Sequence, residues 1–122
     1  MMRLWLFIAG LGGAASVIAG AAAAHLADDP AAATLLHSGS LYGMVHAAAL
    51  VAIIGFAQGR EPRRGAAVVA GWCFAVGIVL FSLAQFVHAA TGIQQFAFVV
   101  PFGGTAFILG WASLAILAFR RR

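Results

Sequence analysis

Four apolar runs, each long enough to cross a bilayer and none containing Asp, Glu, Lys or Arg, constrain this chain more than any other feature. They cover about residues 4–26, 37–57, 66–90 and 96–119. A helix crosses a hydrocarbon core of about 30 Å with about 20 residues rising 1.5 Å each. Inside that core no water can satisfy a backbone N–H or C=O, so each run has to be helical. Four such helices use up most of the 122 residues. The expected fold is therefore all-α: one membrane-embedded domain over residues 1–122, polytopic, with four transmembrane helices in a compact bundle. Composition excludes a soluble body. Only 8% of the residues are charged and mean hydropathy is +1.03, whereas a soluble domain carries about a quarter charged residues.

The charges mark the loops. All seven basic residues are arginines: Arg3, Arg60, Arg63, Arg64, Arg120, Arg121 and Arg122. They stand at the two ends and in the central linker, residues 58–65, with Glu61 among them. Asp28 and Asp29 precede Pro30 in the first connection, and the third, residues 91–95, is polar but uncharged. Arginine-rich loops stay cytoplasmic, so the expected topology is N-in and C-in, multi-pass in the inner (plasma) membrane, both termini cytoplasmic. A pI near 11.3 would suit nucleic acid in a soluble protein. Here no aromatic residues interleave with the arginines, and the expected partner is the lipid bilayer. Residues 1–24 resemble a signal peptide in layout, yet the run from Leu4 to Ala24 is long enough to be a retained first span. Residues 31–37 suit either an interfacial turn or an early start of span two. Pro101 suits the first turn of the last helix, where its missing N–H does no harm. That leaves residues 96–100 as an interfacial apolar segment.

Small residues recur at every fourth position in span one (Gly12, Ser16, Gly20) and span two (Gly39, Gly43). Such stripes let helix backbones approach closely in lipid. The expectation is packing within the bundle, with a homo-oligomer or a larger membrane complex as the alternative use. Ile54 is expected to face lipid.

Polar residues at depth are the candidate interior or ligand contacts. His46 falls near the bilayer midplane, where an ionisable side chain needs a partner or a function. Tyr42 lies one turn away, on the same face. His25 and His88 sit near the ends of spans one and three, with Gln85 one turn inward of His88; His37 is expected to be solvated. The lone Cys73 allows no disulfide within the chain and reads as a small core residue. No cofactor is expected. Haem would need two histidines at matching depth, and a quinone would need a cavity at Tyr42 and His46. No metal-ligand spacing, phosphate loop or pair of deep carboxylates is present, so no catalytic constellation emerges.

Four stretches taken together resemble a known family. Gly20-Ala21-Ala22-Ala23-Ala24-His25, Tyr42-Gly43-Met44-Val45-His46, Gly77-Ile78-Val79-Leu80-Phe81-Ser82 and Pro101-Phe102-Gly103-Gly104 with Gly110-Trp111 occur in the order and spacing of the YgdD-like small bacterial inner-membrane proteins, domain of unknown function 423. Ala22 and Ala23 stand where that family has Phe and Gly, and residues 83–86 lack its tyrosine. The resemblance implies four inner-membrane helices and no particular activity. Two function classes follow. One is a structural or accessory membrane component. The other is a binding or conducting module for a small molecule, quinone-like ring or proton, using Tyr42, His46 and His25. An enzyme is not expected.

Overall fold

The computed structural model describes residues 1–59 and 63–119, with Arg63 described by its backbone alone. Arg60, Glu61 and Arg120 to Arg122, on which much of the orientation argument rests, lie outside the described residues. Among the described residues, four helices are long and apolar enough to cross a membrane. α1 covers Met2–His25 and α2 covers Pro30–Ala57. The third span consists of α3 (Arg63–Gly77), a π-helical segment (Ile78–Leu83) and α4 (Ala84–Thr91). A 3₁₀ turn (Gln94–Phe98) leads into α5 (Val100–Phe119).

Local chemistry explains the boundaries. The Asp29 carboxylate accepts from the N–H groups of Ala31 (3.1 Å) and Ala32 (3.4 Å), and Pro30 takes the first helical position. A capped start with proline at N1 favours a helix there, so α2 begins at Pro30 rather than at residue 37. Residues 31–37 are its first turns. After the third span Gly92 ends α4 with φ 70°, its N–H donating to His88 O. That left-handed conformation suits glycine, which has no Cβ to clash. α5 opens at Val100 with Pro101 in its first turn, and the exposed 3₁₀ turn precedes it.

The third span is the hub. Half of its most apolar stretch is buried, against 17% of the corresponding stretch in the fourth. α1 and α2 pack on each other and on the third span, while α5 packs chiefly on α3 and the π segment. The contacts are bulky side chains seated in glycines. Phe107 of α5 lies where a Cβ on Gly77 would be, and Phe74 of α3 lies against Gly110 of α5. Trp5 seats on Gly71, Phe86 on Gly39 and Ile78 on Gly12. Gly103 touches the backbone of Leu80 and Phe81 in the π segment. Lipid is as apolar as these side chains, so close van der Waals contact holds the helices together. Sequence patterning pointed to the small residues of the first two spans, and the structure shows those of the last two in the same role. Ile54 also departs from expectation, since it packs partly against the core.

Candidate functional site

His46 is buried, 4% exposed, in the middle third of α2. It lies roughly 16 Å from the helix end at Ala57, within the hydrocarbon core. Its Nδ1 donates to the backbone oxygen of Tyr42 at 2.6 Å. Its Nε2 accepts from the indole Nε1–H of Trp111, on α5, at 3.0 Å. Indole nitrogen can only donate, so Nε2 must carry the lone pair and Nδ1 the proton. The ring is therefore a neutral imidazole in one tautomer, with both nitrogens engaged inside the chain.

Aromatic rings fix the plane of that imidazole. Phe107 stacks on it with centroids 3.5 Å apart and planes 9° from parallel. Phe74 meets its edge at 5.4 Å and also packs on Trp111 at 5.1 Å. Phe81 bridges Phe107 and Tyr42. Glycines set these rings, since Gly77 makes room for Phe107 and Gly110 for Phe74. Tyr42 itself is half exposed, and its link to His46 runs through the backbone oxygen rather than the phenol. Its hydroxyl has no hydrogen-bond partner among the described residues.

Two grooves between α2 and α5 flank Trp111. One, of about 330 Å³, is lined by Tyr42, Phe81, Gly104 and Ile108 together with the clasped His46, Phe107 and Trp111. The other, of about 320 Å³, is lined by Ala49, Ala52, Ile53, Phe56, Leu114 and Leu117, and shares Trp111.

A second polar group joins α1, α2 and the third span. Ser16 donates to Gly12 O at 2.7 Å, and Ser40 donates to Ser16 O at 2.6 Å across the helix pair. Gly43 abuts the Ser16 and Ser82 hydroxyls, while Gly20 abuts that of Ser40. Ser82 Oγ, Gln85 Nε2 and Trp5 Nε1 are buried without a hydrogen-bond partner among the described residues. Gln85 is thus an interior residue, whereas His25 and His37 are exposed and His88 is partly buried. The structure does not gather these three histidines around His46. Among the described residues, no three His, Cys, Asp or Glu side chains cluster as metal ligands would.

Reading the residues one at a time missed Trp111 and Phe107. A signal for Trp111 was present: tryptophan usually sits at the membrane surface, and one placed deep needs an acceptor for its N–H.

The profile of a family described as protein of unknown function (DUF423) matches residues 19–104. The chain is 33% identical to the UPF0382 membrane protein YwdK of Bacillus subtilis over 84 residues, covering 69% of this chain and 68% of that one. It is 30% identical to the UPF0382 inner membrane protein YgdD of Escherichia coli, covering 97% of this chain and 91% of that one. A UPF0382 membrane protein of Haemophilus influenzae is also 30% identical, over 100% and 98% of the two chains. No solved structure matches.

Proposed function

Because the chain belongs to the DUF423 family of membrane proteins of unknown function, we propose that it is a structural or accessory component of the inner membrane, whose deep polar residues serve its own assembly. One observation carries this reading: both nitrogens of His46 are bonded within the chain, to Tyr42 O and Trp111 Nε1. A histidine that relays protons, or ligates haem or metal, needs a free nitrogen, and here Trp111 would have to let go first. The proposal places both termini in the cytoplasm on the strength of the arginines. It leaves the broad lipid-facing surfaces of α1 and α5 available to a second copy or to a larger membrane complex.

The test is a double-mutant cycle in detergent. His46→Leu and Trp111→Phe should each lower the melting temperature, with His46→Gln intermediate because it keeps a donor and an acceptor. The double variant should lose less than the sum of the two. Coupling energies for interhelical hydrogen bonds in membranes average about 0.6 kcal/mol and reach about 1.7. Zero coupling, together with loss of a co-purifying small molecule from variants that stay folded, would overturn the structural reading in favour of a ligand site.

A further inference from the structure

Going beyond that reading, and not requiring it, we propose that the two grooves flanking Trp111 form one lipid-facing site for a ring-headed lipid. The occupant is a planar aromatic or quinonoid head carrying a hydrogen-bond acceptor, with an aliphatic tail.

The division of lining chemistry carries the inference. The first groove is walled by rings from three elements, Tyr42 of α2, Phe81 of the π segment, and Phe107 and Trp111 of α5. The second is aliphatic apart from Phe56 and the shared indole. Both grooves lie between α2 and α5, and lining positions advance along both helices in the same direction, from Tyr42 and Gly104 towards Phe56 and Leu117. A head stacked in the first groove can therefore send its tail past Trp111 into the second. Each groove lies at the lower end of the size range of small-molecule sites, and the two together fall well within it.

Polarity selects the head. The nitrogens of His46 and Trp111 are all engaged, which leaves Tyr42 as the lining residue of the first groove whose side-chain polar group has no partner among the described residues. A phenol beside stacked rings in hydrocarbon gains from an acceptor, and an acyl chain offers none. Gly104 deepens that end, since a Cβ there would meet only the Phe81 ring at 3.6 Å. Ordinary phospholipid chains can fill the aliphatic groove. They leave the phenol unpaired.

The experiment uses the full chain in phosphatidylcholine nanodiscs, titrated with a benzoquinone bearing a decyl chain and, in parallel, with decanol. Binding is read by tryptophan fluorescence quenching and by native mass spectrometry after release. The expected result is saturable binding of one quinone per chain, with decanol failing to displace it. Tyr42→Phe should weaken binding about tenfold through loss of one hydrogen bond. Gly104→Leu, which fills the head groove, should abolish it, and Ala52→Phe should weaken it by blocking the tail groove. Ala52 and Tyr42 are exposed, so those variants keep the fold and its melting temperature. Equal binding of decanol, a retained phospholipid that the quinone does not displace, or quinone affinity unchanged in both Tyr42→Phe and Ala52→Phe would each overturn the site.

Discussion

Trp111 shows how one hydrogen bond settles the chemistry of a deep histidine. Its N–H obliges His46 Nε2 to be an acceptor, and the Tyr42 oxygen takes the proton on Nδ1. The buried serines follow the same accounting with different outcomes. Ser40 donates across to α1, whereas Ser82 is fully buried with no partner among the described residues. Ser40→Ala should therefore lower stability in detergent, by about 0.6 kcal/mol if the bond is average for a membrane interior. Ser82→Ala should leave stability unchanged or raise it slightly, because it removes an unpaired polar group. Paired thermal melts of the two variants check this, and an equal loss from both would mean that Ser82 has a partner. That His46 needs a partner inside the bundle was legible in the sequence, since an ionisable residue at that depth stands out. Its partner was not. The indole comes from 65 positions away, and no local pattern pairs two residues across that separation.

Glycines act at the scale of the helix, as sockets rather than as breakers. Those of α1 and α2 were visible as a spacing, because Gly12, Ser16 and Gly20, and then Gly39 and Gly43, recur every fourth position. Those of the third and fourth spans were not, because Gly71, Gly77, Gly103 and Gly110 follow no single stripe and serve different partners. Gly71 receives a tryptophan from α1, and Gly77 receives a phenylalanine from α5. The π segment was equally hidden. It lies where Gly103 presses on the backbone of Leu80 and Phe81, and tertiary contact of that kind leaves no local sequence mark. Substitutions separate sockets from open glycines. Gly43→Leu would drive a bulky side chain onto Ser16 and Ser82, so it should lower the detergent melting temperature sharply. Gly55→Leu, with nothing within 4 Å of its Cβ position, should leave it near wild type. Equal melting temperatures would mean that the α1–α2 seam is not where these helices are held.

Across the whole molecule, the number of spans was legible because the bilayer forces helix length and charge exclusion on the sequence. The arrangement was less so. Hydropathy marks the third span as the most apolar, yet it does not say that this span is the hub or that the fourth, as apolar as the second, is the least buried. Topology remains open to direct measurement. A reporter fused after Arg122 should behave as cytoplasmic, and one inserted at Asp28–Asp29 as periplasmic, because arginine-rich loops stay inside. The opposite pattern would reverse the orientation. The clasp between the second and fourth spans also sets a timetable for synthesis. His46 is translated 65 residues ahead of Trp111, so at about 5–20 residues per second the imidazole waits about 3–13 s for its donor. During that interval a polar ring sits in the nascent protein with one nitrogen unanswered. The fourth span, made well after the second, is the one that relieves it, so a nascent chain stalled before residue 111 should be the form that quality-control proteases find first.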